Sequence, residues 1–206
     1  MGEKEQTTLA AIHKAATAEF LKKGFKSASL RNIVKTAGVT TGAFYGYYDS
    51  KEALFDALVG EQYDYFMQEY RNAQIKFSEL PKSVQHECMS DFSSDSMKKL
   101  LFYAYDNLDA FKLILLCSEG TRFSDMIDEL TEIESKVAHD FFAALAVTDH
   151  PVPKIDSKLE HILITGMFKA YFEIIIHEMP PDDALKYINQ LHDFYLAGWL
   201  KIMGQS

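Results

Sequence analysis

The run at residues 29–51, SLRNIVKTAGVTTGAFYGYYDSK, constrains the fold more tightly than any other part of the chain. Ser29 is placed to cap a helix, because its hydroxyl can accept from a backbone N–H left unpaired in the first turn. Leu30, Ile33, Val34 and Ala37 then recur at helical spacing. Gly38 supplies a left-handed residue that stops this helix. After a turn through Val39, the hydroxyl of Thr40 can cap a second, shorter helix. In it Ala43 and Phe44 are expected to face inward, leaving Thr41, Gly42, Tyr45 and Tyr47 outside. Such a face, small and bearing hydroxyls, is what a helix entering the major groove of DNA requires. Asp49 with Glu52 reads as a capping box opening a third helix. Lys51 in its first turn opposes the helix dipole, a penalty that a phosphate bound at the same helix start would reverse.

Upstream, Leu9, Ile12, Ala16, Phe20 and Leu21 predict a helix over about residues 7–23, which Gly24 ends, and Phe25 then plugs back into a small three-helix core. A helix ending in KGF, followed by a capped helix and TAGVTTGAFYGYYDSKEALF, resembles the DNA-binding domain of the tetracycline-repressor (TetR/AcrR) family of bacterial transcriptional regulators. The likeness covers roughly the first quarter of the chain. Beyond it, the shared feature is an all-helical layout. The resemblance implies a helix-turn-helix, a small-molecule pocket in a variable C-terminal domain, and a homodimer on a palindromic operator. Carried over by position, it places Thr40, Thr41, Gly42, Tyr45, Tyr47 and Lys51 against DNA, with Ser29 and Arg31 at the start of the preceding helix. The chain departs from the pattern at Tyr47 and Tyr48, where the family often has His and Phe, and at Gly46, which stands in for a larger residue.

Charge is divided unevenly. Residues 1–52 carry eight Lys or Arg against five acids, a balance of +3, so the remainder holds −12 of the net −9. A basic head on an acidic body fits a protein that touches DNA at one end, since the body is repelled by the duplex. The expected division is therefore a DNA-binding domain over 1–52 and a helical ligand-binding and dimerisation domain over 53–206.

Past residue 49 the helical pattern continues to about residue 75, long enough to carry a displacement from body to head. Helical segments are expected near 81–91 and 93–106, with Ser93 or Ser94 as a cap between them. The apolar run FKLILLCS predicts a fully buried helix over 110–118, broken by Gly120, and Thr121 or Ser124 should open a long amphipathic helix reaching residue 145. TDHPVPK at 148–154 reads as a loop. Ser157 with Glu160 forms a second capping box, and Pro180 and Pro181 separate the last two helices. No period-2 run of strand length occurs, so the chain is expected to be all-α.

The final two helices carry more apolar surface than one neighbouring layer would cover. In the resembled family the equivalent pair meets its two-fold mate in a four-helix bundle, the isologous geometry a palindrome requires. The positions this assigns are Leu163, Gly166, Ala170, Ile174, Leu191, Tyr195, Gly198 and Ile202, part of whose surface is also ordinary core. Rings and methionines in the body could line a cavity for a flat or hydrophobic effector, or simply fill the core. The candidates are Phe66, Phe102, Tyr105, Phe111, Phe123, Met126, Phe142, Met167 and Tyr171, with Glu119, His139 and His161 as polar partners.

Cys88 and Cys117 are distant and read as free thiols of a reducing cytoplasm. The histidines are scattered, without metal-ligand spacing, so neither a metal nor a cofactor is expected. The chain opens on a charged amphipathic stretch rather than a leader, and no apolar run is long enough to span a membrane. No Gly-rich phosphate loop or recognisably placed nucleophile occurs, so an enzyme is not expected. Three classes remain: a ligand-released repressor, an activator, or an adaptor that uses the helix-turn-helix only for structure.

Overall fold

The computed structural model describes the backbone of residues 3–145, 153 and 155–204, and the side chains of 5–81, 94–141, 153 and 155–204. Among the described residues there are nine helices and no strand. They are α1 (Glu3–Ser27), α2 (Leu30–Thr36), α3 (Thr41–Tyr45), α4 (Lys51–Glu79), α5 (Lys82–Asp106), α6 (Leu108–Cys117), α7 (Met126–Leu145), α8 (Ser157–Ile176) and α9 (Pro181–Ile202). The all-α expectation holds, and several boundaries differ from those expected. The segments anticipated near 81–91 and 93–106 form one continuous α5, running through SSDS despite the modest helix propensity of Ser and Asp. The seventh helix opens at Met126, because Thr121 and Ser124 are used in the preceding turn: Thr121 Oγ1 donates to the Ser118 carbonyl at 2.7 Å, and Ser124 Oγ donates to the Thr121 carbonyl at 3.0 Å. Most of the loop expected over 148–154, and the side chains of Cys88 and Phe142, lie outside the described residues.

The chain packs as two compact units, Met1–Tyr65 with Asn107–Ser124, and Phe66–Asp106 with Asp125–Ser206. Packing thus divides the chain differently from the motif boundary at residue 52. The first unit takes in the opening half of α4, α6 and the turn that follows, because their apolar side chains share the head's core. Phe20, Phe25, Phe55, Phe123 and Tyr63 form a connected series of rings, with Phe20–Phe55 at 5.0 Å and Tyr63–Phe123 at 5.1 Å, both edge-on. Such ring pairs contribute roughly 0.5–1.5 kcal/mol each beyond their buried area. Arg122 covers this series. Its guanidinium lies 4.3 Å over Phe123, donates to Asp56 Oδ1 at 2.8 Å and grips both oxygens of Asp64 at 3.0 and 3.3 Å. Gly60 makes room for it, since a Cβ there would sit 3.0 Å from Asp56 Oδ2 and 3.2 Å from Arg122 Nη2. α6 is not buried all round as its composition implied: Leu116 is 54% exposed while Phe111, Leu113 and Ile114 face inward.

The second unit is a helical bundle in which α8 packs against both α7 and α9, and α5 against α8 and α9. Its core joins Phe66 to Phe172 and Tyr70 to Phe168 by ring contacts at 5.9 and 5.7 Å. The cap of α8 is Asp156 rather than Ser157: its Oδ1 accepts from the backbone N–H groups of Lys158 and Leu159 at 2.9 and 3.3 Å. Glu160, expected to complete a capping box, is instead buried and paired with His139 at 2.6 Å.

Candidate nucleic-acid interface and ligand cavity

In the head, each short helix is fixed at its start by the hydroxyl expected there. Ser29 is extended, and its Oγ accepts from Asn32 N–H at 3.4 Å. The Ser29 N–H in turn donates to Glu19 Oε1 at 3.1 Å, tying α2 to α1. Gly38 adopts φ +70°, the left-handed turn that separates the two helices. Thr40 Oγ1 accepts from Ala43 N–H at 3.1 Å and starts α3. With five residues, α3 can point one large side chain inward. Phe44 is fully buried, and Ala43 is exposed rather than inward-facing. Thr41 and Gly42 are exposed, Tyr45 is 52% exposed and Tyr47 is half-buried. Arg31 is exposed on α2.

The departure at Tyr48 has a partner. Its ring lies against Phe44 at 5.9 Å, and its hydroxyl meets His13 Nε2 at 2.5 Å. Burial lowers the His13 pKa and raises that of Tyr48, which favours the neutral form of each. Gly46 closes α3 as its C-cap with right-handed backbone.

At the start of α4 the expected cap is corrected and Lys51 has partners within the head. The cap is Ser50, not Asp49: Ser50 Oγ accepts from Ala53 N–H at 3.0 Å. Lys51 is half-buried and reaches back to the end of α1. Its ammonium donates to the carbonyls of Phe25, Ala28 and Lys26 at 2.7, 3.2 and 3.4 Å, and stands 4.5 Å from the centre of the Phe25 ring. A lysine has three donors. All three have acceptors here, at the kinked end of α1 where Gly24 leaves the helical region (φ +70°, ψ 163°).

Within the second unit lies a cavity of about 190 Å³. Its walls are largely apolar and aromatic, including Tyr70 and Phe77 from α4, Phe141 from α7, Tyr171 from α8, and Tyr195 and Trp199 from α9. The polar feature of one wall is Glu134. Its Oε2 accepts from the Tyr70 hydroxyl and from Gln74 Nε2, the latter at 2.7 Å. Burial pushes the Glu134 carboxyl above its ordinary range, opposed by the Tyr70 hydrogen bond, and pushes the Tyr70 phenol well up, helped by the carboxylate beside it.

Of the side chains expected to hold a ligand, Met167 and Tyr171 line this cavity. Phe111, Glu119 and Phe123 belong to the first unit: Phe111 and Phe123 are head core, and Glu119 forms an exposed ion pair with Lys26 at 2.6 Å. Phe102 is exposed, while Phe66 and Met126 are buried in packing. The Tyr105 hydroxyl donates to the carbonyls of Met179 and Ile174 at 2.6 and 3.2 Å, and His139 is taken by Glu160. Tyr70, Gln74 and Glu134 are not among the ligand positions expected from the sequence. The available signal was the i, i+4 spacing of Tyr70 and Gln74, which puts both on one side of α4. Nothing local marks Glu134 among the acids of α7.

On the last two helices, Ile162 (63%) and Phe194 (70%) stand out as exposed apolar side chains, with Leu159 and Tyr187 beside them in kind and Gly198 open to solvent. Leu163, Gly166, Ala170 and Ile202 are half-buried. Leu191 and Tyr195 turn toward the cavity, and Ile174 is 2% exposed, so it is core rather than accessible surface.

The head matches the family model for bacterial regulatory proteins of the tetR family over residues 12–58. The chain is 26% identical over 183 residues to YuxN of Bacillus subtilis (strain 168), an uncharacterised HTH-type transcriptional regulator; the match covers 85% of this chain and 56% of YuxN, so the chain spans little more than half of that relative's length. In fold it is similar to a TerR/AcrR-family transcriptional regulator from Aquifex aeolicus VF5, with TM-score 0.52, 19% identity, and coverage of 95% of this chain and 99% of that one. It is also similar to the transcriptional regulator FadR from Bacillus subtilis, solved in complex with stearoyl-CoA, with TM-score 0.53, 15% identity, and coverage of 92% and 98%. The helix-turn-helix, with its capped helices on one buried phenylalanine, thus matches the tetR-family model over the head, and the chain as a whole shares its all-helical fold with these solved regulators.

Proposed function

We propose that the protein is a ligand-responsive DNA-binding repressor that acts in the bacterial cytoplasm as a homodimer on a palindromic operator and is released by a small hydrophobic or aromatic effector. The observation that carries this reading is the face of α3. Thr41, Gly42 and Tyr45 stand exposed on a helix whose start is fixed by the Thr40 cap and whose rotation is fixed by buried Phe44. That rigidity lets a few side chains meet base edges in register, while Thr40, Tyr47, Ser29 and Arg31 supply hydroxyls and a charge for the flanking phosphates. Lys51 supports the face from within. The exposed apolar residues of α8 and α9, Ile162 and Phe194 above all, with Gly198 allowing close approach, support a two-fold interface between copies. The cavity within the second unit supports an effector. An effector that binds one arrangement of the two heads about tenfold better than the other shifts their equilibrium by roughly 1.4 kcal/mol.

The test is selection of bound sequences from a random duplex pool with the native chain and with Tyr45→Ala. The expected result is a palindrome enriched by the native protein and not by the variant, with affinity that falls steeply as salt rises. A folded, dimeric protein that enriches no sequence would refute the reading.

A further inference from the structure

Among the described residues that line the cavity there is no lysine and no arginine, and the carboxylate of Glu134 is the one acid. Its two oxygens are used unequally. Oε2 takes both the Tyr70 hydroxyl and Gln74 Nε2, whereas no side chain or backbone group among the described residues donates to Oε1. Tyr70 and Gln74 therefore hold the carboxylate in place and leave one oxygen for an occupant of the cavity. Around it the cavity presents six aromatic residues, Tyr70, Phe77, Phe141, Tyr171, Tyr195 and Trp199. Aromatic faces attract cations through the ring quadrupole, and a carboxylate beside them adds an opposite charge.

From this juxtaposition we infer that the cavity selects an organic cation, an apolar or aromatic body bearing a quaternary or substituted ammonium group, with Glu134 as its counter-ion. The tertiary and quaternary forms are favoured over a small primary amine, because one free carboxylate oxygen and a wall of rings satisfy a diffuse charge with few N–H donors. An anionic ligand would meet an uncompensated carboxylate and no cationic side chain. The net −12 of residues 53–206 acts in the same direction at longer range. His192 is the one imidazole among the described lining residues, and Tyr70, Tyr171 and Tyr195 are the other titratable side chains there; His192 Nδ1 is 3.5 Å from Asp193 Oδ1. This inference rests on the reading of the cavity as the effector site.

Trp199 is the single tryptophan of the chain and lines the cavity, so its emission reports occupancy directly. Three probes sharing a phenethyl body separate charge from shape: phenethyltrimethylammonium, the neutral isostere in which carbon replaces nitrogen, and phenylpropionate. Each is titrated into the full chain and into Glu134→Gln, with a thermal melt confirming that the variant is folded. The expected result is that the ammonium probe binds about tenfold more tightly than its neutral isostere, that phenylpropionate binds more weakly than either, and that the charge preference falls to about unity in Glu134→Gln. Equal or tighter binding of the neutral or anionic probe to the native chain would overturn the cation assignment while leaving the cavity as a ligand site, and that outcome does not depend on the variant folding. Absence of any quenching by all three would overturn the effector reading along with it.

Discussion

Lys51 separates two roles by one substitution, Lys51→Met, which keeps an unbranched apolar stem and removes the three donors. In the folded head the ammonium makes one short bond, 2.7 Å to the Phe25 carbonyl, and two longer ones at 3.2 and 3.4 Å. A hydrogen bond involving a charged group contributes roughly 1.5–3 kcal/mol, and the half-exposed site lets water replace part of the two longer bonds. The stacking of the ammonium over Phe25 adds about 0.5 kcal/mol at such a site. The sum is a loss of about 2 kcal/mol. For a chain of this size that corresponds to a fall of roughly 4–8 °C in Tm, read from helical ellipticity during a thermal melt. The same variant is titrated with operator DNA across a salt series. If Lys51 braces the end of α1, the melt shifts and the slope of log affinity against log salt stays that of the native protein once the head is folded. An unchanged melt with a slope reduced by about one would mean that the amine neutralises a phosphate, and would refute the bracing role.

Three further outcomes are expected. Phe44→Ala empties the fully buried anchor of α3 and should cost about 3–5 kcal/mol, whereas Tyr45→Ala beside it should stay within about 0.5 kcal/mol in a denaturant titration; equal costs would contradict the assignment of inner and outer faces. His139→Ala should destabilise the chain by about 1–3 kcal/mol, since it strips the partner from a buried Glu160 whose Oε1 already has none among the described residues, and adding Glu160→Leu should recover most of that loss; a double variant no better than the single one would sink the explanation. Glu19 is held below the ordinary glutamate value of 4.5 chiefly by the backbone N–H of Ser29, opposed next by burial, with Asn32 and then Lys23 and Lys22 adding smaller lowering effects. A depressed carboxyl binds fewer protons folded than unfolded, so its contribution is present above pH 4.5 and is lost as pH falls through the lower folded value. The acid limb of stability should therefore be shallower in Glu19→Gln, and an identical slope would show that the Ser29 contact does not couple to folding.

Local chemistry accounts for what the sequence makes legible. The caps at Ser29 and Thr40, the left-handed stops at Gly38 and Gly120 and the inward Phe44 each depend on a residue and its neighbours within one turn, so pattern and structure agree. Where two capping residues compete, pattern alone chooses wrongly. Ser50 displaces Asp49, and Asp156 displaces Ser157, because which oxygen reaches the free N–H depends on the direction from which the chain enters the helix.

Roles set by residues distant in the chain were beyond the sequence. Lys51 carries the signature of a phosphate contact, and its bonds to three carbonyls some 25 positions away are not legible in the sequence. Phe111 and Phe123 have the composition of pocket lining but pack with the head, and Glu134 gains its place only when α4 brings Tyr70 and Gln74 against α7. By itself the sequence determined the helical class, the helix-turn-helix and the short-range caps, because backbone hydrogen bonding and side-chain periodicity are settled within a few residues. Tertiary structure decided which charges are free to meet a partner and which rings enclose a cavity, because burial and pairing depend on where separate helices meet.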